Sequence, residues 1–155
     1  MPVLDLVELP QAMAPRAPLV GLDLGEKTIG VAVSDVSRTV ATPLELIRKV
    51  KFGDDVARLF KLMDGRGAQG IVIGLPLNMD GSEGPRVQSV RAFARNLLRL
   101  RDLPIAFWDE RLSTMAVNRM LISEADTTRA RRAELVDKAA AAYILQGALE
   151  RLRQI

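Results

Sequence analysis

The sequence predicts an α/β domain built on a mixed five-stranded sheet, three antiparallel strands followed by two parallel ones, flanked by helices. Three observations carry that expectation. Three apolar stretches between residues 18 and 47 are separated only by short turns, which favours an antiparallel meander. After Gly53 the apolar period changes from strand-like to helical. Beyond it, two short apolar runs alternate with amphipathic segments, the order expected of strands returned to one sheet by right-handed helical crossovers.

The elements follow in order. PLVGLDL (residues 18–24) is apolar enough to lie inside a sheet, GEKT turns the chain, and IGVAVSD (29–35) and TVATPLELI (39–47) complete the meander. Val56, Leu59, Phe60 and Met63 repeat at helical spacing, and GRG closes that helix near Gly65. GIVIGL (70–75) is a continuous apolar run, the mark of a strand buried on both faces. The polar loop PLNMDGSEGP leads into a second helix with Val87, Val90, Ala94, Leu97 and Leu98 on one side and Arg91, Arg95 and Arg99 on the other. PIAFW (104–108) is the fifth strand. Ser113 or Thr114 caps a short helix through Met120 and Leu121, the polar stretch SEADTTRARR is read as a loop, and a last helix runs from about Ala133 to Leu152.

The 155 residues suit one domain, and 48% hydrophobic content supplies a core. Residues 18–155 are expected to form it. Residues 1–17, with two acids and three prolines, read as a flexible extension without the basic start and apolar centre of a signal peptide. No stretch approaches the roughly 20 apolar residues of a membrane span, so a cytoplasmic domain is expected.

Composition also excludes chemistry. The sequence has no cysteine and no histidine. Disulfides, thiolate nucleophiles, Ser-His-Asp catalysis and the commonest transition-metal ligands are therefore absent. Oxygen ligands alone favour hard cations such as Mg²⁺ or Mn²⁺. Net charge is +3 with a pI near 9.7. Only five of the 22 basic residues are lysine and the rest are arginine, the type best suited to bidentate phosphate contacts. A polyanionic partner fits this balance, as does a solvated basic face.

Three segments carry candidate chemistry. In DLGEKTIG, Asp23 sits late in an apolar strand, where a charge calls for a partner or a metal; an acid at a strand end facing water is an equal reading. In FWDERLST the fifth strand ends in Asp109 and Glu110, of which strand alternation lets only one face a given site. In VDKAAAAYILQ, Asp137 shares a helical face with small apolar residues one turn on. Two such carboxylates about 4 Å apart repel by roughly 4 kcal/mol at an effective dielectric of 20. If the three acids converge, two divalent ions would offset that charge and clamp the attacking and leaving oxygens of a phosphodiester.

GLDLGEKTIGVAVSD, IVIGLPLNMDGSEGPR, WDERLST and VDKAAAAYILQ, taken together and in this order, resemble the four signature segments of the YqgF/RuvX family of the ribonuclease H-like superfamily. The resemblance spans residues 20–149. It implies a ribonuclease H-like fold, and catalytic, metal-binding acids at Asp23, Glu110 and Asp137, choosing Glu110 over Asp109. It implies maturation of the 5′ end of pre-16S ribosomal RNA by a metal-dependent nuclease or, by kinship with the RuvC nucleases, cleavage of Holliday junctions. RuvC-type enzymes carry a further acid one turn after the last one, where this chain has Ala140; Glu134, one turn before, is the available substitute.

Lys27, Asn78, Arg86, Arg111 and Lys138 are the expected substrate-binding residues, with the loop 78–86 as the positioning element. The expected partner is nucleic acid, pre-ribosomal RNA first and branched DNA second, bound by a monomer or homodimer; two-fold symmetry would favour the junction. Aromatic residues amount to 4%, too few for extensive base stacking. Two other classes compete. DLGEKTIG also resembles the first phosphate motif of actin- and hexokinase-like proteins, which need two such domains. A catalytically silent nucleic-acid-binding or assembly factor would have no evident need for three acids beside phosphate.

Overall fold

The computed structural model describes residues 3–112 and 129–154, with side chains for 3–111 and 139–154. Five strands form one sheet in the order β3-β2-β1-β4-β5: β1 Leu19–Leu24, β2 Thr28–Ser34, β3 Ala41–Arg48, β4 Gly70–Leu75 and β5 Ile105–Asp109. β1 pairs antiparallel with β2, and β2 with β3. β1 and β4, and β4 and β5, pair in parallel. This is the mixed five-stranded sheet that the order of the apolar segments predicts. Pro43 is tolerated in β3 because β3 is an edge strand, and its pairing with Ala32 falls beside a register shift.

Among the described residues three α-helices cover the sheet: α1 Phe52–Arg66, α2 Pro85–Leu100 and α3 Arg129–Arg153. α1 ends at Gly67, whose φ of 68° provides the left-handed cap. α2 starts with Pro85, whose fixed φ suits the first helical position. The side chains of α1 and α2, including Val56, Leu59, Val87, Val90 and Leu97, form one core with Val20, Leu22, Ile71 and Ile73. On the other face Ala141, Ile144, Leu145 and Leu149 of α3 pack on Leu19, Val72 and Ala106. All six residues of β4 are buried, as a strand covered on both faces requires.

Two expectations need correction. Residues 3–17 are not a flexible extension. They form a 3-10 turn, Leu6–Ala12, that buries Leu9 completely and Met13 nearly so in the α3-side core. Leu4 N donates to Ile105 O at 2.8 Å and Ala14 N to the Gln69 side chain at 2.8 Å. The prolines masked an apolar series, Leu4, Leu6, Leu9 and Met13, that burial against the sheet holds in place. The last helix also begins earlier than expected, at Arg129, so the RARR end of the polar stretch is helical. The short helix expected after Ser113 lies outside the described residues. Among the described residues no helix is long and apolar enough to cross a membrane.

Candidate active site

The strand order places the carboxyl ends of β1, β4 and β5 side by side on one edge of the sheet, where sites of open α/β sheets form. Asp23 is the penultimate residue of β1, and Glu110 follows the last residue of β5. The pairing of Leu22 with Ile73 brings Asp23 level with Gly74 on β4, and Gly74 in turn pairs with Trp108. A Cβ on Gly74 would stand 2.6 Å from Glu110 Oε1, 2.9 Å from Glu110 Cγ and 2.5 Å from Ile144 Cδ1. Glycine is thus required by space: the Glu110 side chain occupies the volume above it and hydrogen-bonds the Asp23 carboxylate.

The electrostatics follow from that contact. Burial, reinforced by the Asp23 charge and hydrogen bond and to a lesser degree by Asp109, pushes Glu110 up to about 7; Arg86 opposes the shift. Below about pH 7 Glu110 therefore keeps a proton that it donates to Asp23 in a half-buried pair. Such a pair of hard oxygen donors fits a divalent cation, which would replace the shared proton. Among the described residues no third acid joins them. Asp137 and Lys138 belong to α3, but their side chains lie outside the described residues.

Asp109 points elsewhere. Arg111 Nε and Nη2 bind its carboxylate at 3.0 and 2.6 Å, holding it below the ordinary carboxylate range, and Arg111 Nη1 donates to Met79 O at 3.1 Å. Arg111, an expected substrate ligand, is thereby an anchor that ties the 78–84 loop to the end of β5. Asn78 is likewise engaged within that loop: its N donates to Ser82 O at 3.0 Å and its Nδ2 to Ser82 Oγ at 2.9 Å. Asp80 accepts from Ser82 N and Oγ.

Arg86, in the first turn of α2, faces the acid pair. Its Nη2 lies 3.5 Å from Leu24 O, and it lines two clefts, of about 350 and 620 Å3, the larger of which Glu110 also lines. Lys27 is exposed in the β1–β2 turn, its carbonyl accepting from Lys49 N. Sequence reasoning missed Lys49, whose Nζ donates to Gly25 O at 2.9 Å and which lines the smaller cleft with Arg86 and Ser89. The available signal was topological. Two antiparallel pairings make β3 run with β1, so the residue after β3 reaches the same edge. Gly74 was missed as well, being indistinguishable from any other small residue in an apolar run.

The profile of the RuvX family, described as Holliday junction resolvase, matches residues 17–151. A protein of Phenylobacterium zucineum named as a candidate pre-16S rRNA nuclease is 74% identical over the whole of both chains. Relatives of the same name from Caulobacter vibrioides and Rhodospirillum rubrum are 68% and 64% identical, covering 99% and 98% of this chain and 99% and 94% of theirs. Among solved structures, Thermus thermophilus RuvC in complex with a Holliday junction substrate superposes with a TM-score of 0.52 at 14% identity, covering 88% of this chain and 96% of that one. That likeness concerns the fold.

Proposed function

The chain belongs to the RuvX family, and we infer from that membership and from the site that it is a nuclease that hydrolyses phosphodiester bonds with a divalent metal, Mg²⁺ or Mn²⁺, at Asp23, Glu110 and Asp137. Its proposed substrate is the precursor of 16S ribosomal RNA, matured at the 5′ end.

The observation that supports this most directly is the Glu110 side chain lying over Gly74 to reach Asp23. A hydrogen-bonded pair of acids in a half-buried position costs stability and calls for a counter-charge. Asp137 is assigned as the third acid from its place on α3. It lies one helical turn before Ala141, whose carbonyl stands 2.9 Å from where a Gly21 Cβ would be, and Gly21 shares a face of β1 with Asp23. Metal bound by these acids would supply a water of lowered pKa and offset charge on the phosphoryl oxygens. The chain itself contributes the rest. Asp23 on β1 and Glu110 directly after β5 fix the position of the ligand oxygens, and Arg86 offers the phosphate a guanidinium beside them.

A second reading, cleavage of branched DNA, is favoured by the description of the matching family. The two separate in one experiment. Purified protein is offered a pre-16S 5′ leader fragment and a four-way DNA junction in equal amounts, with Mn²⁺, Mg²⁺ or EDTA. Metal-dependent cutting of the leader at far lower enzyme concentration supports the RNA reading, and preference for the junction overturns it. No cutting of either, with binding retained, would leave a nucleic-acid-binding factor.

A further inference from the structure

We propose that the larger cleft beside Glu110 is a base-accepting pocket, in which one unpaired nucleotide of the substrate packs its base against Met79 while Arg86 meets its phosphate. The proposal rests on the nuclease reading and adds to it a substrate feature, an unpaired or easily unpaired nucleotide next to the cut.

The cleft has a volume of about 620 Å3, room for a nucleotide. Its walls are chemically divided. Pro76, Leu77, Met79 and Pro85 are apolar, Asn78 carries an amide, and Glu110 and Arg86 add charged groups to the lining. Apolar faces with one amide suit the faces and edge of a nucleobase, and the cation beside the acids suits its phosphate. Among the described residues two guanidiniums line the cleft, and that of Arg111 is taken up by Asp109. Arg86 is the one whose charge reaches Glu110.

Met79 is the distinctive wall. It is 87% exposed, and an exposed methionine on a loose loop would mean little. Here the backbone around it is fixed from both sides. Arg111 holds the Met79 carbonyl at 3.1 Å, Gly81 N donates to Asn78 O at 2.8 Å, and Asn78 and Ser82 close the turn twice. Gly81 takes a φ of 87°, which only glycine adopts freely, so the turn is built to one shape. Glu83 at the far side of the loop is held by Arg91 at 2.9 and 3.0 Å. The network presents an apolar, polarisable side chain to solvent at the mouth of the site instead of burying it. Thioethers make favourable contacts with ring edges and faces, and methionine is among the residues that proteins insert against unstacked bases. A base inside a duplex cannot reach such a pocket, so the substrate must offer one outside the stack.

The test is an abasic scan on the full-length protein. A stem with a single-stranded tail, made as RNA and as DNA of the same sequence, carries one abasic residue walked through the junction and tail. Binding is measured by fluorescence anisotropy in EDTA for the native chain, Met79→Ala and Met79→Leu. One position is expected at which loss of the base weakens native binding about tenfold, within the range for a stacked base. Met79→Ala should weaken binding of the intact strand by a similar factor and erase the abasic effect, while Met79→Leu keeps most of it. A scan that is flat in both nucleic acids overturns the proposal, as does an abasic effect of equal size in Met79→Ala and native protein. The same oligonucleotides incubated with Mn²⁺ report on the underlying activity. Cutting with a flat scan removes the pocket alone, and the expected scan without cutting removes the nuclease reading alone.

Discussion

Asp23 lies in β1 and Glu110 directly follows β5, two strands that are not neighbours, and their carboxyl groups meet because Gly74, on the strand between them, has no side chain. The site is therefore a property of three strands. β1 carries one acid, the residue just past β5 is the other, and β4 between them supplies an absence that lets the longer acid span it. A glutamate is needed at 110 for that span; an aspartate is shorter by one methylene.

Gly74→Ala is the direct test of this arrangement. The new Cβ would stand 2.6 Å from Glu110 Oε1 and 2.5 Å from Ile144 Cδ1. Displacing Glu110 by even about 1 Å should lower the cleavage rate about 100-fold, and crowding against Ile144 should cost about 1–3 kcal/mol of stability. Single-turnover cleavage and urea denaturation measure the two separately. Native activity in Gly74→Ala would mean that Glu110 acts from another position.

The metal-free protein should become less stable as pH rises toward neutrality. Glu110 titrates at about 7 in the fold, raised from 4.5 by burial first and then by Asp23. The folded state thus holds this proton more tightly than the unfolded chain does. Its contribution is complete below pH 4.5 and is lost as pH rises through about 7. Glu110→Gln should flatten that slope in chelator-treated protein. Metal should also compete with the proton, so Mn²⁺ should bind more tightly at pH 8 than at pH 6 and release a proton at the lower pH. Calorimetry in buffers of different ionisation enthalpy reads that release.

Arg86 and Arg111 line the same cleft as Glu110 but should behave differently. Arg86 is assigned a phosphate, so Arg86→Ala should reduce the salt dependence of nucleic-acid binding by about one counterion. Arg111 neutralises Asp109 and holds Met79 O. Arg111→Ala should leave the salt slope near native and instead speed hydrogen exchange in residues 78–84.

The N-terminal segment should be structural. Leu9 is fully buried, so Leu9→Ala is expected to destabilise by about 2–5 kcal/mol. Denaturant midpoints would reveal this, and an effect below about 0.5 kcal/mol would return residues 3–17 to the status of an extension.

How much of this was legible beforehand divides along physical lines. The strands and the first two helices could be read because their apolar periods are unbroken, and β4 because both of its faces are covered. Residues 3–17 were misread because their burial depends on a tertiary partner, the α3 side of the sheet, while their prolines and acids look local. The start of α3 was placed late because the stretch RARR carries no large apolar residue to mark a helical period in the sequence. Asp23 was recognisable as a charge in an apolar strand. Its contact with Glu110 was not, since it depends on the register of three strands. The resemblance to a known family supplied the choice of Glu110 over Asp109. The structure supplies a reason for the difference: one carboxylate faces Asp23, and the other is clamped by Arg111.

The central claim is that Asp23, Glu110 and Asp137 act together on a phosphodiester, and its most direct test is single-turnover cleavage of the pre-16S leader in Mn²⁺ by Asp23→Asn, Glu110→Gln and Asp137→Asn, with binding measured in EDTA. Each variant is expected to cut at least about 100-fold more slowly, at or beyond the 10–100-fold typical of an outer-shell partner, while binding the leader about as tightly as the native chain. Cleavage at the native rate by Asp23→Asn would contradict the account.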